Sequence, residues 1–270
     1  MPLTLYTFSS PPRFYALTGI LVPVCWLAAA GFAAAGLYMG FFVAPTDATQ
    51  GEVYRIIFIH VPAAWMSMLL YLVMAFWAAV GWAFRARLAS MVARALAPTG
   101  ALFTFLALWT GALWGRPTWG TYWVWDARLT SELILLFLYL GYIALTEAID
   151  DTRRSDAAGA LLAVVGAVNV PIIYFSVKWW NTLHQGASVS LTAAPKMAST
   201  MLTAMLLMTV ACWAYSFAVV FMRTRAIILE RERDTQWVRA LAAVPGGGEA
   251  SLPLAASRSV SEGVSERVSR

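Results

Sequence analysis

Six long apolar segments constrain the fold of this chain more than any other feature of its sequence. An α-helix rises about 1.5 Å per residue, so roughly 20 apolar residues are needed to cross the ~30 Å hydrocarbon layer of a bilayer. The runs that meet this length are residues 15–39, 57–84, 92–113, 129–149, 157–177 and 198–222. They predict an all-α polytopic membrane protein with six transmembrane helices in one membrane domain, residues 1–240.

The composition supports the same fold class and limits the functions to consider. Hydrophobic residues make up 60% of the chain and charged residues only 12%, whereas a water-soluble domain carries about a quarter charged residues. The lipid bilayer is therefore an expected partner. Basic residues (19) outnumber acidic ones (14), but they collect in cytoplasmic loops of membrane proteins, so they do not indicate nucleic acid. The two cysteines form no CxxC motif, which argues against thiol–disulfide exchange.

The two ends of the chain differ in character. The first apolar run, from about Tyr15 to Phe42, is longer than the roughly 7–15 residues of a signal-peptide core, so we expect a retained first helix. Residues 223–243 are predicted to extend the last helix into water. From Pro245 the chain is rich in Gly, Ser and charge, which predicts that residues 241–270 are a disordered cytoplasmic tail.

The basic residues between the apolar runs predict the orientation. One side of the predicted membrane domain carries Arg13, Arg85, Arg87, Arg94, Arg153, Arg154, Arg223 and Arg225. The other side carries Arg55, Arg116, Arg128, Lys178 and Lys196. Because the cytoplasmic side is the more basic one, both termini are expected in the cytoplasm.

A tryptophan-rich segment, residues 114–128, lies between the third and fourth runs on the predicted outer side. It contains Trp114, Trp119, Trp123 and Trp125, and Asp126 directly follows the last of them. A single tryptophan at this depth is typical of an interfacial aromatic belt. A cluster this dense, interrupted by glycines, instead indicates a site for a large, flat, apolar ligand, to which indoles offer broad faces at little entropic cost. If the segment were helical, Trp119 and Trp123 would share one face.

Both histidines of the chain are predicted on this same side. His60 lies at the outer end of the second run, and His184 lies between the fifth and sixth. Haem fits the aromatic segment, and its iron accepts neutral imidazoles from both faces of the ring. His60 and His184 are therefore the predicted axial ligands of haem b.

The haem propionates would need cations near the membrane surface. Candidates are Arg55, Arg128, Lys178 and Lys196, of which the two arginines are favoured because a guanidinium binds a carboxylate through two parallel hydrogen bonds. Contact with lipid headgroups is the alternative for each. Asp126 is expected to hold the shape of the segment rather than to touch iron.

The pattern WGxxxWGxYWxWDxRxTSE resembles the signature of the haem-handling proteins of cytochrome c maturation, and among them the CcmC family. The resemblance covers nearly the whole chain to about residue 240, including the six spans and both histidines. It implies that the tryptophan-rich segment contacts haem at the periplasmic face of the bacterial inner membrane, with His60 and His184 on the iron. It also implies a loading platform rather than an enzyme, which presents haem to the chaperone CcmE beside CcmD and the transporter subunits CcmA and CcmB. The chain itself has no P-loop pattern.

Two other functions remain open from the sequence. An electron-transfer cytochrome of the membrane would place paired histidines within the spans, which the position of His184 does not favour. A transporter subunit without a cofactor would carry ionisable residues inside the membrane, of which Glu132 is the main candidate.

Overall fold

The computed structural model describes residues 10–180, 184, 189, 195 and 197–243. Within these residues the regular structure is entirely helical, and we number the α-helices in chain order. They are α1 (Pro11–Tyr38), α2 (Ile57–Phe84), α3 (Arg87–Trp119), α4 (Ala127–Ala148), α5 (Thr152–Gly166), α6 (Asn169–Trp179), α7 (Ser199–Arg231) and α8 (Gln236–Ala243). A π-helical turn, Met39–Val43, extends α1, and a 3-10 turn, Glu52–Ile56, precedes α2.

The prediction of six membrane spans is confirmed. In the part of the chain that the structure describes, six helical segments are long and apolar enough to cross a bilayer. They are Pro11–Val43, Glu52–Phe84, Arg87–Trp119, Ala127–Ala148, Thr152–Trp179 and Ser199–Arg231. Several are longer than predicted, because hydropathy marks only the lipid-embedded part of a helix, whereas its backbone hydrogen bonds continue into the polar region. From residue 244 on, the predicted tail lies outside the described residues.

The fifth span is divided into two helices. The helical pattern is interrupted between Gly166 and Asn169, and Pro171 follows at the start of α6. A proline donates no backbone hydrogen bond and its ring clashes with the carbonyl four residues earlier, which here belongs to Ala167. The Asn169 side chain donates to the Ser131 carbonyl at 2.8 Å and so ties the break to α4.

The interior of the bundle is centred on α2, α3, α4 and α5, while α1 packs mainly against α7. Tyr71 and Tyr139 are fully buried there, with ring centroids 4.9 Å apart. The Tyr139 hydroxyl donates to the Ser67 carbonyl at 2.8 Å. Gly100 leaves room for the Tyr139 ring, since a Cβ at that position would overlap it.

The bundle has two chemically different ends. The tryptophan end holds residues 114–128, the start of α2 and the last turn of α1. The arginine end holds the bidentate pair between Arg231 and Asp156, with both N–O distances at 2.8 Å. Arg87 lies 3.9 Å from Glu232 at the same end. Because the spans alternate in direction, residues far apart in sequence meet at each end.

Candidate haem site at the tryptophan end

His60 lies in the first turn of α2 and faces α3. Its Nδ1 is 3.0 Å from the hydroxyl oxygen of Thr110. Its ring packs edge-on against Trp114, with centroids 5.5 Å apart. Gly111 allows this approach, because a Cβ there would lie 3.0 Å from Cε1 of the imidazole. Helix α3 therefore fixes the position of His60 through three neighbouring residues.

His184 lies between α6 and α7 and is covered by the tryptophan-rich segment. The ring of Trp119 packs against it with centroids 5.0 Å apart, and Nδ1 lies 3.9 Å from Oδ2 of Asp126. Burial, and then the positive charge of Arg128, lowers the pKa of His184 from 6.5 to about 4. The imidazole is therefore neutral at neutral pH, which is the form that ligates iron.

The structure brings the two histidines to the same end of the bundle. His60 packs on Trp114 and His184 packs on Trp119, and these tryptophans are one and a half turns apart on α3. The positive charge of Arg128 lies close enough to His184 to contribute to its lowered pKa.

The tryptophan-rich segment is part helix and part extended chain. Trp114 and Trp119 belong to α3, which ends at Gly120 with a φ of +80°, a conformation that favours glycine. The chain is then non-helical until α4 begins at Ala127. The condition under which Trp119 and Trp123 would share a helical face is therefore not met. The physical reason is Gly120, whose left-handed backbone conformation ends the helix between them.

The connection from Gly120 to Asp126 has a defined shape. Asp126 caps α4 by accepting a hydrogen bond from the Leu129 backbone N–H at 2.8 Å, a backbone contact of the kind expected for a residue that holds the end of the segment. Trp123 and Trp125 pack edge to face with centroids 5.3 Å apart. Trp125 is 77% exposed, so its ring faces outward at the rim of the site.

Arg55 makes contacts that the sequence did not predict. It forms an ion pair with Glu52, and its Nη1 donates to the carbonyls of Gly40 (2.6 Å) and Ala44 (3.1 Å). These carbonyls end the helical structure of α1, where backbone acceptors lack intrahelical partners. Arg55 therefore joins the end of α1 to the start of the second span.

The other predicted cations differ in how close they lie to the histidines. Arg128 is in the first turn of α4, half-buried, and its Nη1 donates to the Ile173 carbonyl at 3.3 Å. Lys178 lies over the ring of Phe175 at 5.7 Å, near the end of α6. Lys196 lies outside the described residues. Arg128 is thus the predicted cation whose charge acts on His184.

Gln50, Tyr54 and Thr110 contact the predicted site residues and were not identified from the sequence, whereas Glu132 was named only for the transporter alternative. Trp114 donates through Nε1 to the Gln50 side chain at 2.6 Å and packs against Tyr54, with centroids 5.8 Å apart. Thr110 contacts His60 as described above. Glu132, one helical turn beyond Arg128, is buried and accepts a hydrogen bond from Ser67 at 2.7 Å. No local sequence pattern marks Gln50, Tyr54 or Thr110 as a site residue, because the residues that they contact are distant in sequence.

The chemistry of the site suits a planar apolar ligand with its own metal. In the described part of the chain, no three His, Cys, Asp or Glu side chains are grouped to hold a bare metal ion. A porphyrin supplies four nitrogen ligands itself, so two imidazoles complete the coordination of its iron. The buried Nε1 of Trp123 makes no hydrogen bond among the described residues, so it is a donor suited to a ligand's polar group.

Comparison with known proteins shows where this chain belongs. The family model for heme exporter protein C, CcmC, matches residues 4–239. Heme exporter protein C of Escherichia coli (strain K12) is 46% identical over 244 residues, covering 88% of this chain and 96% of that protein. The protein of the same name from Bradyrhizobium diazoefficiens is 47% identical over 241 residues, covering 88% and 89%. A ccmC-like mitochondrial protein of Marchantia polymorpha, named for cytochrome c biosynthesis, is 47% identical over 171 residues, covering 63% and 71%. The chain is a multi-pass membrane protein that belongs to the CcmC family of heme exporter proteins.

Proposed function

We propose that this protein binds haem b as cargo at the periplasmic face of the bacterial inner membrane and delivers it for the assembly of c-type cytochromes. The observation that carries the proposal is the convergence of His60, His184 and the tryptophan-rich segment at one end of the bundle. Membership of a family named for haem export supports it. The role is binding and delivery rather than catalysis.

Each site residue has a distinct task in this proposal. His60 and His184 ligate the iron, one from a helix and one from the connection that follows α6. Trp119, Trp123 and Trp125 contact the porphyrin, because their indoles bury apolar area and lose few rotamers on binding.

The remaining residues support the ligands or the propionates. Trp114 packs against His60, and Asp126 holds the end of the connection to α4. Arg128 is the first propionate partner, because its guanidinium lies in the first turn of α4, directly after the tryptophan-rich segment, and its charge acts on His184. Arg55 is the second candidate, although its Nε and Nη1 already bind Glu52 and two carbonyls.

Release of the cargo follows from the position of the site. A porphyrin enclosed within a bundle would leave slowly, whereas this site lies at the end of the helices and is rimmed by the exposed ring of Trp125. His184 lies beyond the end of α6 and packs against Trp119 at the end of α3. A partner that docks on the segment and displaces Trp119 would weaken the His184 bond first and free one face of the haem.

The partners are those that membership of the CcmC family implies. This chain has no nucleotide-binding motif, and in that arrangement the ATP-driven work belongs to CcmA with CcmB. CcmE accepts the haem and attaches it to a histidine of its own, and CcmD joins the complex as a small membrane protein. This arrangement treats the present chain as the platform on which haem is loaded.

A cytochrome c maturation assay tests the proposal. Full-length wild-type protein, His60→Ala, His184→Ala and Trp82→Ala are expressed with the other maturation components in cells that lack their own copy. Covalent haem on CcmE and the yield of a reporter c-type cytochrome are then measured. Both histidine variants are expected to lose most of the covalent haem on CcmE and most of the reporter cytochrome. Trp82→Ala, a control substitution at the arginine end of the bundle, is expected to retain both. Normal loading of CcmE by either histidine variant contradicts the proposal.

A further inference from the structure

Thr110 makes the closest polar side-chain contact that the structure gives to His60. The residue is buried on α3, and its hydroxyl oxygen lies 3.0 Å from Nδ1 of the imidazole. The same hydroxyl faces its own helix, where it donates to the Leu106 carbonyl at 2.5 Å and lies 3.4 Å from the Ala107 carbonyl. Thr110 is therefore placed between the backbone of α3 and the ring of His60.

The hydrogen count of this group fixes the direction of both hydrogen bonds. A threonine hydroxyl has one hydrogen and two lone pairs, while a carbonyl oxygen can only accept. The hydrogen of Thr110 is directed to Leu106, so only a lone pair is left to face His60. A lone pair on Nδ1 would then be repelled, whereas an N–H at Nδ1 is accepted at 3.0 Å.

The consequence concerns the other nitrogen of the ring. A neutral imidazole with its hydrogen on Nδ1 has its lone pair on Nε2. We propose that Thr110 is a positioning residue, which holds His60 in this tautomer so that Nε2 is presented to the haem iron. This inference rests on the proposed function, because it assigns a supporting partner to one of the proposed axial ligands.

The arrangement also changes the electronic character of the ligand. One ring nitrogen of a ligating imidazole binds the metal, and the other carries the N–H. A hydrogen-bond acceptor on that N–H increases the basicity of the ligand, and loss of such an acceptor typically lowers metal affinity about 10- to 100-fold. A more basic ligand favours ferric over ferrous iron. Removing the Thr110 hydroxyl is therefore expected to weaken ferric haem binding and to raise the midpoint potential of the bound haem.

Two substitutions separate the hydroxyl from the shape of the side chain. Thr110→Val keeps the branched shape and removes the hydroxyl, whereas Thr110→Ser keeps the hydroxyl and removes the methyl group. Thr110→Ala also removes the hydroxyl, and it places no methyl group beside the Leu106 carbonyl. It therefore replaces Thr110→Val in the comparison if the valine variant folds poorly. The thermal unfolding of each haem-free protein reports whether the bundle itself is intact.

The experiment is a haem titration of full-length, haem-free protein in detergent, followed by a redox titration of the Soret and α bands. Wild type, Thr110→Val, Thr110→Ala, Thr110→Ser and His60→Ala are compared. Thr110→Val and Thr110→Ala are expected to bind haem about tenfold more weakly or worse, with a raised midpoint potential. Thr110→Ser is expected to match wild type.

The outcomes distinguish this inference from the function on which it rests. If Thr110→Val and Thr110→Ala match wild type while His60→Ala loses affinity, the inference is overturned and the proposed function stands. If Thr110→Ser is impaired as strongly as Thr110→Val, the hydroxyl is not the cause and the inference is also overturned. If His60→Ala itself binds haem like wild type, the proposed axial ligation fails.

Discussion

The indole ring of Trp119 packs against the imidazole of His184, with 5.0 Å between the ring centroids and a tilt of 53°. Trp119 is the last residue of α3, and His184 lies beyond α6, so the contact joins two segments that are distant in sequence. This packing helps to position His184, which lies outside the described helices. The end of one transmembrane helix therefore contributes to the placement of the second proposed axial ligand.

Replacing Trp119 with alanine is expected to weaken haem binding about three- to tenfold, since an aromatic contact contributes about 0.5–1.5 kcal/mol beyond its buried area. Haem titration of purified protein measures the change. Trp82→Ala removes an indole that is 57% exposed, from α2 near the arginine end, and serves as the control for loss of a tryptophan outside the site. If Trp119→Ala and Trp82→Ala bound haem with equal affinity, Trp119 would not be part of the haem site.

The acid–base behaviour of His184 gives a prediction that needs no haem. Its pKa is lowered to about 4 by burial and by Arg128, so it is expected to titrate near pH 4 in NMR spectra of the His60→Gln variant, where it is the sole histidine. Arg128→Gln is expected to raise this pKa while burial keeps it below 6.5.

The same shift has a defined sign for stability. In the unfolded chain the imidazole takes up a proton near pH 6.5, whereas in the folded chain it does so near pH 4. The contribution of His184 to stability is therefore complete above pH 6.5 and is lost as the pH falls from 6.5 towards 4. A histidine that titrates at 6.5 in the folded protein would contradict its burial beneath the tryptophan-rich segment.

Esterified haem tests whether Arg128 binds a propionate. A charged hydrogen bond contributes about 1.5–3 kcal/mol, so Arg128→Gln is expected to bind free haem about tenfold or more weakly than wild type. With haem dimethyl ester, whose propionates carry no charge, the two proteins should bind with similar affinity. A loss of the same size for both ligands would assign Arg128 a structural role instead. Arg55→Gln, measured in parallel, reports on the second candidate.

Packing at the centre of the bundle is tested by a glycine substitution. A Cβ at Gly100 would overlap the ring of Tyr139, so Gly100→Ala is expected to destabilise the protein by about 1–3 kcal/mol and to lower its melting temperature in detergent. Gly31→Ala is the matched control, since its Cβ meets no atom within 4 Å. That change is expected to be neutral or stabilising by up to about 1 kcal/mol. A lower melting temperature for Gly31→Ala than for Gly100→Ala would contradict this packing.

The six spans were predictable from the sequence because length and hydropathy alone set them. The shared end of His60 and His184 followed from the alternation of those spans. The role of Asp126 was also predictable, since an aspartate directly before a helix is a common cap. These features depend on a local sequence pattern or on the number of times that the chain crosses the membrane.

The contacts of Arg55, Thr110 and Gln50 were not predictable in the same way. Arg55 binds carbonyls 11 and 15 residues earlier in the chain, and Thr110 contacts a histidine 50 residues away. A threonine within an apolar run has no local mark that distinguishes it from any other helical residue. The end of α3 was missed for a different reason, because the tryptophans after residue 113 are compatible with either helix or loop until Gly120 adopts a positive φ.

The absorption spectrum of haem bound to the full-length protein tests the central claim most directly. Wild type is expected to give the Soret and α bands of six-coordinate, low-spin haem with two imidazole ligands. His60→Ala and His184→Ala are each expected to lose that spectrum and to bind haem more weakly, and the double variant is expected to bind it only non-specifically. A bis-imidazole spectrum that persists when both histidines are absent would contradict the account, since the chain contains no other histidine.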